Sequence, residues 1–197
     1  MNAGNKQREK TEKLAMMGIL TALVMVLSYF GGFIKIGSLA SVNLTLIPVV
    51  LGSAIYGPLA GAWLGAVASA IFFTTADAAF WVGLSLVGTV VTVFLKGILA
   101  GVAAGLVYRL LEKKNRYLAV MAGAVIAPVV NTGLFLAGCM VFFIDAVNEM
   151  AAAGGMSVGA YLIVVFVGLN FVFELLFGVI LGPGVYRLLE HFKAMKK

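Results

Sequence analysis

Apolar residues run almost without a break along this chain, and the few interruptions divide it into segments of membrane-spanning length. A membrane helix needs roughly 17 to 25 mostly apolar residues. The pattern predicts six spans, over residues 14–33, 44–56, 59–75, 86–111, 117–144 and 160–189. The second is short for a span and ends at the Gly57-Pro58 turn, beyond which the third begins. Pro48, Pro128 and Pro183 fall within or near these runs and predict local kinks, tolerable where neighbours satisfy the freed carbonyls. Residues 34–43 and 76–85 read as longer, more polar loops at the opposite end from that turn.

Composition settles the class. Hydrophobic residues make up 62% of the chain and charged ones 11%, where a soluble domain carries about a quarter. With a mean hydropathy of +1.09, such a chain cannot cover a water-facing surface. The expected fold is an all-α integral membrane protein, a six transmembrane helix bundle. Its expected organisation is a basic N-terminus over 1–13, one six-helix domain over 14–189 and a basic tail over 190–197. Cys139 is the single cysteine, so no internal disulfide framework forms and no metal-ligand spacing exists.

Charge then orients the bundle. Lys6, Arg8, Lys10 and Lys13 precede the first span; Arg109, Lys113, Lys114 and Arg116 separate the fourth from the fifth; Arg187, Lys193, Lys196 and Lys197 close the chain. With six spans, all of these fall on one side, leaving Lys35 opposite and Lys96 within. The positive-inside rule places both termini in the cytoplasm. The net charge of +6 is therefore a topology signal, and nucleic acid is not an expected partner. A cleavable signal ending near Ser38-Leu39-Ala40 is the alternative for the N-terminus. Its apolar stretch is long for a signal, and removal would put the termini on opposite sides, against the charges.

Small residues recur at four-residue spacing: Gly57, Gly61, Gly65 and Ser69 on the third span, Gly97, Gly101 and Gly105 on the fourth, Gly18 and Ala22 on the first. Such stripes let another backbone approach closely. They serve either packing inside the bundle or docking of a partner membrane protein.

The chemistry lies at the centre. Lys96, Asn131 and Glu174 each sit about ten to fourteen residues into a span, which at 1.5 Å per residue is near mid-membrane. Asn170 lies one turn from Glu174, and Thr92 one turn from Lys96, on the same faces and nearer the exterior. Lipid cannot solvate such groups, so they face one another or a cavity. Either Lys96 and Glu174 form an internal ion pair, or the stripes line a pocket open to the outside. In a pocket, Lys96 meets a carboxylate or carbonyl, Glu174 accepts from a hydroxyl or amine, and the amides do both. Phe80 and Trp81 either stack on a planar ligand or anchor at the interface, the commoner role of membrane tryptophan.

Catalytic machinery is missing from the pattern. There is no phosphate-binding loop, no nucleophile–base arrangement and no paired histidine; His191 stands alone among lysines. Asp145 and Glu149 read as exposed loop residues. An enzyme is not expected, nor a cofactor or metal. A binder of this kind either equilibrates its substrate, as a proton-coupled secondary carrier with Glu174 titrating, or is powered by a partner.

Several segments point to the second case. The run Val42-Asn43-Leu44-Thr45-Leu46-Ile47-Pro48, followed by Tyr56-Gly57-Pro58-Leu59-Ala60-Gly61, resembles the substrate-binding S components of energy-coupling-factor (ECF) transporters. So do Lys96-Gly97, Pro128-Val129-Val130-Asn131-Thr132, and Asn170 with Glu174; the likeness covers nearly the whole chain. The resemblance implies a six-helix plasma-membrane protein that binds a vitamin or other micronutrient from outside, under loop lids. It implies partners: a transmembrane T component and two cytoplasmic ATPases, docked through small-residue faces that here involve Gly18, Ala22, Gly61 and Gly65. The expected substrate site is Lys96, Asn131, Asn170, Glu174, Thr92, Trp81 and Asn43. Glu174 stands where riboflavin-type members tend to carry lysine, which argues against riboflavin and leaves pantothenate favoured.

Overall fold

A computed structural model describes the backbone of residues 3–31 and 44–195, and the side chains of these except at 3–6, 31, 169–170, 192–193 and 195. Expectations placed on Lys35, on Asn43 with the rest of the 34–43 loop, and on the Asn170 side chain lie outside the described residues. Every regular element among the described residues is helical: α1 (Ala3–Gly31), α2 (Leu46–Tyr56), α3 (Pro58–Phe72), α4 (Ala76–Leu84), α5 (Leu86–Leu111), α6 (Arg116–Phe142), α7 (Ile144–Ala153), α8 (Val158–Tyr161), a π-helical stretch (Leu162–Val167) and α9 (Gly168–Met195).

Four stretches are long and apolar enough to cross a membrane: Gln7–Phe30, Leu86–Leu111, Arg116–Phe142 and Val158–His191. The pair α3 and α4, bent by 85°, makes a fifth if counted as one span. With 11 residues, α2 is about 17 Å long, roughly half the hydrocarbon thickness. The chain is thus an all-helical multi-pass membrane protein.

Two expected loops turn out to be helices. Residues 76–85 contain α4, begun by Thr75 in extended conformation and carrying Asp77 in its first turn, where a carboxylate complements the helix dipole. The hydroxyls of Thr74 and Thr75 donate to the Ile71 and Phe72 carbonyls at 2.7 Å, covering groups that the bend exposes. Asp145 and Glu149, also read as loop residues, lie on α7. They are exposed as expected, while Val147 and Ala151 turn inward. The sixth run also starts a little earlier than its composition suggests and continues through the π-helical stretch.

Caps explain where the long helices start. Ser85 Oγ accepts from Gly88 N at 3.1 Å and Asn115 Oδ1 from Leu118 N at 3.1 Å, each worth about 1 kcal/mol. Between α2 and α3 the chain reverses at Gly57, whose φ of 92° suits glycine, and Pro58 opens α3 with a preset φ.

The glycine stripes of α3 and α5 meet each other. Gly61 lies against the Gly101 backbone and Gly65 against the Gly97 carbonyl, too close for any Cβ. Ser69 Oγ sits 2.8 Å from both the Gly65 and Val93 carbonyls, tying the two helices together. Gly61 and Gly65, expected on a docking face, are therefore buried within the chain itself. Gly18 and Ala22 behave differently: both are exposed, and nothing lies within 4 Å of a Cβ built at Gly18.

Helices α6 and α9 also approach at a small residue. Pro128 has no N–H for the Ala124 carbonyl one turn back, and a Cβ at Gly178 of α9 would lie 2.9 Å from that oxygen. The proline frees the carbonyl and the glycine lets a neighbouring backbone cover it.

The basic segments gather at one end of the bundle. Lys13 Nζ lies 5.6 Å from the Tyr56 ring centre, Arg109 reaches over Gly57, and Arg116 pairs with Glu190 at 3.2 Å. Beneath them Ala54, Tyr108, Ala119, Val120, Val185 and Leu189 form one buried cluster. The α3–α4 bend and α7 lie at the other end.

Candidate functional site

Contacts between helices fix the depth of each central polar group. Thr92 of α5 packs against Gly138 of α6, and Gly178 of α9 against Ala124 of α6. Counting along the helices from these contacts sets Lys96 level with Leu134 and Glu174 level with Pro128, with Asn131 midway. The two charged residues are then roughly 9 Å apart along the bundle axis at 1.5 Å per residue. Pro128 and Glu174 indeed line one cleft. Side chains on a helix lean toward its N-terminus. Since α5 and α9 both start at the end opposite the basic cluster, Lys96, Thr92 and Glu174 all lean toward that end.

Lys96 is half-buried, and its ammonium stands over two rings: Phe135 of α6 at 4.9 Å and Phe72 of α3 at 5.8 Å from their centres. A cation over a ring face is worth about 0.5 to 2 kcal/mol. That offsets only part of the several kcal/mol needed to desolvate an ammonium. Asn131 and Glu174 are each 7% exposed and Thr92 is 4% exposed, so these three polar side chains lie inside the bundle.

Above Lys96 lies an aromatic cluster. Trp81 of α4 packs edge-on against Phe135 at 5.4 Å and Phe143 at 5.1 Å, and lies 5.7 Å from Phe166 of the π-helical stretch. Tyr161 closes on Phe166 at 5.5 Å. Trp81 is thus packed inside the bundle, while its neighbour Phe80 is exposed. The π-helical turn that presents Phe166 belongs to a class of irregularity found often at functional sites.

On the other side of Glu174 a narrow, partly open cleft lies between α2, α6 and α9. Its walls are apolar, including Leu46, Val50, Phe177 and Leu181, and Glu174 is its charged residue. The site therefore changes character along the axis, from rings and an ammonium through an amide to a carboxylate at the head of an apolar cleft.

The sequence pattern singles out Lys96, Thr92, Asn131 and Glu174, and helix register sets these at successive depths on three helices. It does not single out Phe135 and Phe72. Phe135 carries a usable signal, since it follows Asn131 by one helical turn on the same face of α6. Among the described residues no group of three or more His, Cys, Asp or Glu could hold a metal ion.

Polar and ionisable groups inside an apolar multi-pass bundle mark a functional interior. More particularly, the chain belongs to the family described as ECF transporter, substrate-specific component, which matches residues 12–188. No curated protein and no solved structure matches it. The family is one of transport subunits, and its members associate in general with a transmembrane component and ATPases.

Proposed function

We propose that this chain captures a water-soluble vitamin or related micronutrient at the outer face of the plasma membrane and delivers it through an ECF module. In this arrangement the bundle makes six passes, with α2 as a short span and both termini in the cytoplasm. The gathering of basic residues at one end supports that orientation. The chain's substrate-binding residues are Lys96, Thr92, Asn131, Asn170 and Glu174, with Trp81 and Asn43. A T component and two cytoplasmic ATPases supply the energy, and the exposed Gly18 and Ala22 on α1 are the docking face. Among vitamins we favour pantothenate, which offers a carboxylate to Lys96 and hydroxyls to Glu174.

The observation that carries this proposal is the half-buried Lys96 with the buried Asn131 and Glu174 inside a member of a substrate-specific family. A second reading draws on Glu174, a buried carboxylate at the head of an apolar cleft: a proton-coupled carrier that needs no module. Vesicles separate the two. Radiolabelled pantothenate should accumulate only when the chain is reconstituted with a T component and ATPases and ATP is present on the ATPase side. Accumulation by the chain alone, driven by a proton gradient, would establish the carrier instead.

A further inference from the structure

Two donors near the middle of the bundle lack acceptors among the described residues. Thr92 Oγ1 is buried without a hydrogen-bond partner, although hydroxyls around it are satisfied: Thr89 donates to the Ser85 carbonyl at 2.7 Å on the same helix, and Ser69 lies on two carbonyls. A helical threonine ordinarily finds the carbonyl one turn back. The Lys96 ammonium, one turn below on the same face, has the rings of Phe135 and Phe72 close by. Both side chains lie against the same stretch of α6: Thr92 packs on Gly138, and Lys96 lies over Phe135. Rings attract a cation yet leave its protons without acceptors.

We propose that Thr92 and Lys96 together form a carboxylate subsite, and that the substrate is an elongated acid whose far end donates a hydrogen bond to Glu174 roughly 9 Å away along the bundle axis. This rests on the transport proposal above and narrows it: Lys96 and Glu174 hold opposite ends of one molecule. Phe135 is a positioning residue that holds the ammonium beside Thr92. The fit is to an extended molecule with an anionic end and a hydroxyl or amine end, and compact acids reach one group only.

A length series of simple probe molecules tests the proposal whatever the natural substrate is. Unbranched omega-hydroxy acids, from hydroxypropionate to hydroxydecanoate, and the matching diols are added at millimolar concentration to the detergent-purified full chain, and thermal unfolding is followed. The acids should stabilise the protein, most strongly where the chain spans roughly 9 Å, and the diols should not. Lys96→Met and Thr92→Val should each weaken the preferred acid roughly 10- to 100-fold, the range for a lost charged hydrogen bond, while Thr92→Ser retains it. Ligand-free unfolding of each variant checks that it folds. Acids and diols acting alike, no length preference, or no acid effect at all would overturn the proposal. Stabilisation by short-chain phosphatidylglycerol alone would assign the donors to a lipid phosphate and overturn it equally. Module-dependent uptake is measured separately, so a failed subsite and a failed transport proposal give different results.

Discussion

At the scale of single residues, the placement of charge follows from the solvent. An ionisable group in hydrocarbon must turn inward, which is why Lys96, Asn131 and Glu174 were legible in the chain without its fold. Their relation to one another was not legible. Spacing alone left an internal Lys96–Glu174 ion pair open. Helix register now places the two residues at different depths with Asn131 between them. Phe135 is marked in the sequence only by its place one turn from Asn131, since an apolar residue in a membrane helix otherwise looks the same whether it faces lipid or a cation. Glu174→Gln and Lys96→Ala should each weaken binding of the cognate micronutrient roughly 10- to 100-fold while leaving the purified protein folded. Equilibrium binding with a labelled vitamin checks this, and unchanged affinity in both would remove the pocket. Gly57→Ala should cost about 1 to 3 kcal/mol of stability, since alanine is strained at that φ and its Cβ meets Arg109; a lowered unfolding temperature is the readout.

At the scale of elements, small-residue stripes have two destinations that sequence cannot separate. Four-residue spacing is identical whether the partner is another helix of the chain or another protein. The structure separates them: the stripe on α3 is covered by α5, and that on α1 is open. Gly65→Leu should therefore disrupt the fold, seen as loss of a monodisperse peak in detergent. Gly18→Leu or Ala22→Leu should leave folding and substrate binding intact but block uptake with the module. Full uptake in those two variants would remove α1 as the docking face. The short helices were the least legible elements. A nine-residue helix such as α4 and the ten-residue α7 offer too few turns for periodicity to stand out, and their acidic residues resemble loop punctuation. Only tertiary packing, Trp81 from α4 and Val147 from α7, makes them worth forming.

At the scale of the whole molecule, three basic segments far apart in sequence meet at one end of the bundle, while the aromatic cluster and α7 occupy the other. The charges and the brevity of α2 were readable from the sequence; the break between α3 and α4 was not, because hydropathy does not register a bend. A single cysteine placed at Lys114, in a Cys139→Ala background, should react with an impermeant thiol reagent in inside-out vesicles and resist it in intact cells. Labelling in intact cells would invert the orientation. The most direct test of the central claim is mass spectrometry of the small molecule retained by the detergent-purified protein. A water-soluble micronutrient bound one to one, carrying a carboxylate at one end and a hydrogen-bond donor at the other, is the expected result. A protein that retains nothing and binds no member of a vitamin panel would contradict a substrate-binding role for the column of Lys96, Asn131 and Glu174.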